Sequence, residues 1–382
     1  KPYSHSFSTG AYTVFLFHKK GIPQKRKVCT MKKWNRILSA LLSAALICTI
    51  LSACNGGNSQ GNPSQSDSSP DSSISQENNN SSEAQSSHYP VTIVTHNYAK
   101  EEVEITFDKA PERVLAFNTN SVENMIALGL TDKILLAFGF EENEILPEYE
   151  EEFKKIKNFQ SEFPSKEDAI AQQPDFILAW YSSFGDKRLG DVDFWHERGV
   201  NTYMAYNSGL GDQSLEKEYQ DILNLGKIFD VEDKAEALVA EIRAKVQKGK
   251  DYVKDKEPVN ISILEDEGDV FRIYGYDTIG GDIAAQVGAN LVTPTKNEKK
   301  SAEELVELNP EMIFSIHFGV DSTSLNPENC LDVFKNNPVF QNINAVKNGK
   351  MYPTDLSMVY CPGVRVSQSI DFFLEHLYPE ME

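Results

Sequence analysis

Apolar positions recur with a helical period over residues 231–256. The apolar side chains lie three or four residues apart and are Ala235, Leu238, Val239, Ile242, Val246 and Val253. Asp230 is placed to cap the first turn, and Pro258 follows the last turn. Since an α-helix rises 1.5 Å per residue, this stretch predicts a helix roughly 39 Å long. We interpret residues 230–257 as a helix that connects two lobes. A surface helix of one large domain is the alternative.

Short apolar runs alternate with helix-like segments on both sides of this helix, in residues 90–229 and 258–382. The predicted strands are an alternating pair at 91–93 and 103–107, then buried runs at 114–117, 134–137, 176–179, 259–264 and 313–316. Because parallel strands need long crossovers, this alternation favours parallel sheets. The predicted fold class is α/β, with two lobes, each a mainly parallel sheet flanked by helices, joined by a single long rigid helix.

The N-terminal residues show a different pattern. Residues 1–30 begin with Lys and have no apolar period, so we interpret them as an upstream extension that is not part of the natural protein. Met31 opens a second start, in which basic residues precede an apolar run at 37–51 that is too short for a membrane span. This order is typical of an export signal. Its last residue, Cys54, makes residues 31–54 resemble a lipoprotein signal, in which the Cys is lipidated.

Residues 55–89 are rich in Ser, Asn, Gln and Gly and have few apolar side chains. Such a composition cannot bury enough apolar surface to order the chain, so we expect a disordered tether with a reach of about 30 Å. An anchor and a tether together place the folded part on the outer face of a bacterial membrane, in a cell with a single membrane.

The charge of the chain restricts its possible partners, and its cysteines leave two possibilities. The chain has 37 Lys and Arg against 57 Asp and Glu, a net charge of −20, which argues against nucleic acid as a partner. Beyond the N-terminal segments the cysteines are Cys330 and Cys361. In an exported protein they can form a disulfide or remain buried thiols, and the sequence leaves both open.

Two helix starts repeat each other at an interval of 136 residues. Ser165 and Ser301 are each followed, three positions later, by an acidic residue that completes a capping box, and then by a Pro before a strand. Glu167 and Glu303 occupy the second helical position, where a carboxylate interacts favourably with the helix dipole. The repeat predicts one outward carboxylate on each lobe. Good helix capping alone is the other interpretation.

Several segments in the same order resemble the substrate-binding lipoproteins of ABC importers for iron–siderophore complexes, heme and cobalamin. The matching segments are 111–114, 127–130, 173–177, 275–290 and 345–352. The resemblance implies two lobes joined by one long helix. It also implies that Glu167 and Glu303 dock onto arginines of the permease dimer in the membrane, and that the chain acts as a monomer.

Loops at the carboxyl ends of parallel strands meet between the lobes, where a ligand binds in such folds. The predicted ligand-binding residues are Asn118, Trp180, Tyr181 and Arg188 in the first lobe and Arg272, Tyr274, His317, Tyr360 and Arg365 in the second. Arginines suit the carboxylates, catecholates or propionates of an iron chelate, and Trp and Tyr offer flat apolar contact.

We therefore expect a ferric siderophore as the ligand, with heme or cobalamin as alternatives and no resident cofactor. Heme-binding members of the resembled family can place an axial His after the strand that precedes His317. A bare metal ion needs several converging His and carboxylates, and the 7 scattered histidines do not supply them.

The sequence is less typical of two other classes of protein, an exported enzyme and a surface adhesin. An exported enzyme is disfavoured because the chain has no Gly-x-Ser-x-Gly, His-Glu-x-x-His or phosphate-loop motif. A surface adhesin is compatible with the anchor and the tether but does not require the paired carboxylates. The expected protein is a lipid-anchored binding protein without catalysis of its own.

Overall fold

A computed structural model describes residues 88–209, 211–293, 298–318 and 326–380. The predicted extension at 1–30, the signal segment at 31–54 with Cys54, and residues 55–87 of the tether lie outside the described residues. In the part of the chain that is described, no helix is long and apolar enough to span a bilayer.

The first lobe is preceded by the predicted hairpin, in which β1 (Val91–His96) pairs antiparallel with β2 (Glu102–Phe107). The strands of the lobe are β3 (Val114–Phe117), β4 (Ile134–Phe138), β5 (Phe159–Gln160), β6 (Phe176–Ala179) and β7 (Asn201–Met204). Its helices are α1 (Asn118–Ala127), α2 (Glu150–Phe153), α3 (Lys166–Ala171), α4 (Val192–His196) and α5 (Leu215–Ile228). The strands form a wholly parallel sheet, which confirms the predicted fold class, and their order is β5-β4-β3-β6-β7.

The long helix, α6, has 22 residues (Glu232–Val253), or about 33 Å. The prediction that Asp230 caps it is wrong. Val231 is the N-cap and makes no side-chain bond, and Asp230 adopts a left-handed conformation (φ 56°). The Oδ1 of Asp230 instead lies 3.4 Å from Nδ1 of His88. His88 therefore lies beside the residues that begin α6.

The second lobe repeats the α/β pattern. Its strands are β8 (Val259–Asp266), β9 (Phe271–Ile273), β10 (Ala289–Leu291), β11 (Lys299–Lys300), β12 (Met312–His317) and β13 (Met351–Asp355). Its helices are α7 (Ile279–Gln286), α8 (Ala302–Leu308), α9 (Asp332–Asn336), α10 (Asn344–Lys347), α11 (Leu356–Val359) and α12 (Val366–Leu377). Strands β8, β10, β12 and β13 are parallel, whereas β9 pairs antiparallel with β8 and β11 pairs antiparallel with β9.

The two sheets share one continuous apolar core. It joins Val114 of β3 to Ile261 of β8 through Ile222 of α5, Val239 of α6 and Ile370 of α12, all of which are buried. Helix α6 packs against α5 and α12 within this core. The lobes therefore pack on one another as well as being joined by α6, because the buried face of this helix is part of their common core.

Gly249 lies on the buried face of α6, where the backbone approaches its neighbours closely. A Cβ at this position would lie 2.9 Å from Cγ1 of Val287 and 3.4 Å from Cδ1 of Leu374. The glycine therefore allows close packing of α6 against the second lobe.

Polar bonds add to this apolar contact where residues 361–365 of the second lobe pack against α1 and α5. Asn120 Nδ2 in α1 donates to the carbonyl of Cys361, at 2.5 Å. The amide of Gly363 donates to Glu218 Oε2 in α5, at 2.7 Å, and the amide of Val364 donates to Asn124 Oδ1, at 2.9 Å. Buried backbone groups of one lobe are thus satisfied by side chains of the other.

Arg365, one of the predicted ligand-binding residues, completes this contact between the lobes. Its Nε and Nη2 donate to the two carboxylate oxygens of Glu123, at 2.6 and 2.7 Å, and Nη1 donates to Ser357 Oγ. Arg365 is 4% exposed and Glu123 is 0% exposed. Burial raises the pKa of Glu123 despite the opposing effect of Arg365. The guanidinium is thus committed to a buried ion pair between the lobes.

Both cysteines of the folded part are free thiols, which decides the question that the sequence left open. Cys361 is buried at the interface between the lobes and its burial raises the pKa of the thiol.

The ion pair predicts a specific pattern of stability. Arg365→Met should lower the free energy of unfolding by about 3–5 kcal/mol, because it leaves the Glu123 carboxylate buried without a partner. Adding Glu123→Gln should restore part of the loss, since the unpaired charge is then removed. Urea unfolding of the single and double variants measures both effects.

The matched control is Arg243→Met, which removes an exposed ion pair to Glu216 and should cost about 1 kcal/mol or less. Equal losses for Arg365→Met and Arg243→Met would show that the buried pair does not stabilise the contact between the lobes.

Candidate functional site: two chambers between the lobes

The strand ends of the first lobe place two predicted residues in the cleft. Asn118 follows β3 with φ 69°, and its Oδ1 accepts a bond from the amide of Thr119, at 2.6 Å. A left-handed conformation is tolerated by Asn, whose short side chain bonds to the nearby backbone. Trp180 follows β6 and is 7% exposed, and its Nε1 donates to Asn120 Oδ1, at 3.1 Å. Both side chains are therefore held by local hydrogen bonds.

A contact between aromatic rings divides the cleft. Trp180 of the first lobe meets Tyr360 of the second edge-on, with 5.1 Å between the ring centroids. The hydroxyl of Tyr360 donates to the carbonyl of Ser208, back in the first lobe. This bridge lies between two cavities, each of which is lined by both lobes.

The first cavity, which we name the acidic chamber, has a volume of about 300 Å³. Its lining residues are Asn118, Gly139, Phe140, Glu141, Glu144, Ser161 and Trp180 from the first lobe and Phe318, Asp355, Leu356 and Ser357 from the second. Three of them are carboxylates, and no Lys or Arg is present among the described residues that line it.

The carboxylates of the acidic chamber are held in place. Asp355 Oδ1 accepts from the amide and the hydroxyl of Ser357, at 2.7 and 2.6 Å. Glu141 Oε2 accepts from Ser161 Oγ, at 3.0 Å. Burial, together with the negative charge of Asp355, raises the pKa of Glu144 to about 7. The chamber therefore concentrates negative charge that no lining cation offsets.

The second cavity, which we name the tyrosine chamber, has a volume of about 280 Å³. Its lining residues are Lys100, Tyr181, Ser208, Gly209, Gly211, Gln213, Arg272, Ile273, Tyr274, Thr278 and Tyr360. Lys100 comes from the turn of the β1–β2 hairpin, and its Nζ lies 5.1 Å from the centroid of the Tyr181 ring. The Tyr98 ring stacks on the Tyr181 ring, with 4.6 Å between the ring centroids.

Arg272 lines the tyrosine chamber, but it already has partners. Its Nε donates to Glu267 Oε1, at 2.7 Å, and lies 3.8 Å from Glu265 Oε2. Tyr274 donates its hydroxyl to the same Glu265 carboxylate, and burial and this charge raise the pKa of the Tyr274 hydroxyl. An anionic ligand would therefore meet a guanidinium whose charge is largely offset.

Two further predicted residues line neither chamber. His317 ends β12 beside Asp355 of β13, is half-buried, and within the described part of the chain its buried Nδ1 has no hydrogen-bond partner. Arg188 is exposed, and its guanidinium lies 4.5 Å from the centroid of the Phe163 ring. The prediction that these side chains meet the ligand has no support in their placement.

The structure thus brings together six of the predicted residues and adds others. Asn118 and Trp180 line the acidic chamber, whereas Tyr181, Arg272, Tyr274 and Tyr360 line the tyrosine chamber. Sequence reasoning missed the charged residues Lys100, Glu141, Glu144 and Asp355. The rule of strand ends would have found Glu141, which follows β4, and Asp355, which ends β13. No strand pattern indicated Lys100.

A group of His and carboxylates suited to a bare ion does not occur in either chamber. Among the described residues, the one such group is His88, Asp230 and Glu232, whose ligand atoms lie within 4.8 Å of one another. It lies outside both chambers, and His88 Nε2 there donates to the carbonyl of Lys227, at 2.7 Å.

The paired carboxylates are exposed on both lobes. Glu167 and Glu303 each occupy the second position of their helices, α3 and α8. Ser301 forms the complete capping box. At Ser165 only half of it forms, because the Asp168 carboxylate accepts from the Ser165 hydroxyl, at 2.7 Å, and no bond to the cap amide accompanies it. Neither Glu takes part in capping, so both carboxylates can meet a partner.

Comparison with known proteins places this geometry in a family. Residues 114–356 match the model of a family described as periplasmic binding protein. An uncharacterized substrate-binding lipoprotein of an ABC transporter from Bacillus subtilis (strain 168), YvrC, is 25% identical over 92% of this chain and 99% of its own length. The petrobactin-binding protein YclQ of the same organism is 25% identical over 67% of this chain and 78% of its own.

A solved structure agrees with these relatives. A periplasmic binding protein from Veillonella parvula is 31% identical, covers 76% of this chain and 92% of its own, and superimposes with a TM-score of 0.68. Since the family model covers more than half of the sequence, the chain belongs to the periplasmic binding protein family, as a substrate-binding protein of an ABC transporter and not an enzyme.

Proposed function

We propose that this protein binds a ferric siderophore between its lobes and delivers it to the permease dimer of an ABC importer. It does so from the outer face of the cell membrane, where lipidated Cys54 anchors it. The observation that carries the proposal is the cleft itself. It has two chambers of small-molecule size, both lobes line each one, and neither holds a set of ligands for a bare ion.

Iron as the cargo is supported by relatives and by chemistry. Two B. subtilis relatives are named as an iron-uptake system-binding protein and an Fe(3+)-citrate-binding protein, and a third is named for its binding of petrobactin. The aromatic bridge of Trp180 and Tyr360 offers flat apolar contact to the ligand groups of such a chelate, and the polar lining offers hydrogen bonds.

Heme is the second candidate, and one observation favours it. His317 has a buried Nδ1 without a hydrogen-bond partner in the described residues, as an axial ligand would before iron binds. Against heme, His317 lines neither chamber. Cobalamin remains a third alternative that no side chain singles out. The siderophore is therefore preferred.

Ligand titrations separate the first two candidates. Ferric siderophores should quench the fluorescence of Trp180 with saturation, because this ring lines the acidic chamber, and His317→Ala should change their affinity by less than about threefold. Hemin should give no sharp Soret band.

The matched control is His376→Gln, a histidine of α12 whose Nδ1 is bonded to the carbonyl of Phe372. A Soret band that His317→Ala abolishes and His376→Gln retains would reverse the order of siderophore and heme.

Docking onto the permease predicts a second result. Exposed carboxylates contribute roughly 0–1 kcal/mol to folding, whereas truncating one partner of a charge pair across an interface costs about 2 kcal/mol or more. Reversing both Glu167 and Glu303 to Arg should therefore leave the melting temperature and ligand affinity unchanged. Uptake of the ferric chelate by cells should fall sharply, because like charges then face each other.

Reversal of Glu197 and Glu307, one exposed Glu on each lobe, is the control and should not affect uptake. Uptake that survives the reversal of Glu167 and Glu303 would mean that the two carboxylates only assist helix formation.

A further inference from the structure

The charges around the cleft are distributed unevenly. Glu141, Glu144 and Asp355 line the acidic chamber, whereas the cleft cations, Lys100 and Arg272, line the tyrosine chamber. We propose that the natural ligand is an iron chelate that carries a protonated amine, and that the acidic chamber binds this ammonium group. The proposal rests on the proposed function and specifies the class of chelate.

The described arginines near the cleft offset these carboxylates only in part, because each has another partner. Arg365 lies next to the acidic chamber, because its Nη1 donates to Ser357 in the lining. Its Nε and Nη2 donate to the two carboxylate oxygens of Glu123. Arg272 is bonded to Glu267, and the exposed guanidinium of Arg188 lies over the Phe163 ring. A polyanionic chelate in the acidic chamber would therefore face an excess of like charge, which is destabilising.

The carboxylates are arranged to receive a cation. Asp355 is fixed by two bonds from Ser357, and Glu141 by one from Ser161. A carboxylate has about four acceptor positions, so these bonds leave each group able to accept from an ammonium. Because the acceptors are already oriented, binding costs little side-chain ordering.

Aromatic rings of the acidic chamber can contact both the ammonium group and the alkyl chain that links it to the chelate. Phe140 and Trp180 form buried walls of the acidic chamber, and Phe318, also in the lining, is 58% exposed. A cation over such rings gains roughly 0.5–2 kcal/mol, and the arm gains apolar contact. The Phe318 ring offers exposed apolar surface that a ligand would cover.

Glu144 gives the chamber a response to pH. Burial has the largest effect on the Glu144 carboxyl and raises its pKa. The charges of Asp355 and Glu141 raise the pKa further, and the charge of Arg365 lowers it, which gives a pKa of about 7. As the pH falls through this value Glu144 becomes neutral and the chamber loses one negative charge. Affinity for an ammonium-bearing chelate should therefore decrease from pH 8 to pH 6.

The direct test compares two chelates that differ in a single charge. Ferrioxamine B is a ferric trihydroxamate with one free ammonium, and N-acetylation removes that charge without altering the iron centre. We expect the full protein to bind ferrioxamine B at least about tenfold more tightly than its acetylated form, since a hydrogen bond to a charged group is worth about 1.5–3 kcal/mol. Fluorescence titration at constant salt measures both affinities.

Variants assign the preference to the chamber. Glu141→Gln with Glu144→Gln keeps the size of both side chains and should reduce the preference to about threefold or less. Glu142→Gln changes an exposed neighbour outside the acidic chamber and should keep the full preference. Melting temperatures confirm that each variant is folded.

The outcomes are distinguishable. Equal affinity for the two hydroxamates, or tighter binding of an anionic ferric tricatecholate, would overturn the ammonium proposal and leave the proposed function intact. A preference that Glu141→Gln with Glu144→Gln does not reduce would overturn the assignment to the acidic chamber. If no ferric chelate of any charge binds, both this proposal and the proposed function fail.

Discussion

The bidentate ion pair between Glu123 and Arg365 is the interaction on which the cleft depends. It joins helix α1 of the first lobe to the turn that precedes α12 in the second, and neither side chain reaches solvent. A buried pair of this kind adds little net stability over apolar packing, but losing one partner is costly, so it specifies one arrangement strongly. Together with the amides of residues 363 and 364, it holds residues 361–365 against the first lobe.

The position of the site follows from this contact. Residues 361–365 directly follow Tyr360, so fixing them places the Tyr360 ring against Trp180 and separates the two chambers. On the other side, Arg365 bonds to Ser357, which in turn holds Asp355. One buried contact therefore fixes both the aromatic bridge and a carboxylate of the acidic chamber, and the continuous core through α6 supports it.

Sequence reasoning predicted the fold better than the site. Apolar runs and periodicity identified α6 and strands β1–β4, β6, β8 and β12, because burial of a face depends on local spacing, but they did not indicate β5, β7, β9, β10, β11 and β13. The rule of strand ends led to Trp180, which follows β6 and lines the acidic chamber. The ion pair of Arg365 could not be predicted, because its partner, Glu123, lies 242 residues away and no local pattern pairs them. Arg272 lines the tyrosine chamber, but its charge is offset by Glu265 and Glu267, and the antiparallel β8–β9 pairing places Glu265 opposite it. Net charge at a site depends on such pairings, which spacing along the chain does not reveal.

A fixed contact between the lobes implies that the cleft is formed before the ligand arrives. Pulsed electron resonance tests this directly, with spin labels on cysteines introduced at Lys157 and Lys347, one exposed position on each lobe, after Cys330→Ser. If the ion pair and the shared core hold the lobes, the distance distribution should be the same with and without a ferric chelate. A shift of several ångströms to shorter distances on binding would show that the lobes close like a clamshell and would contradict a preformed cleft.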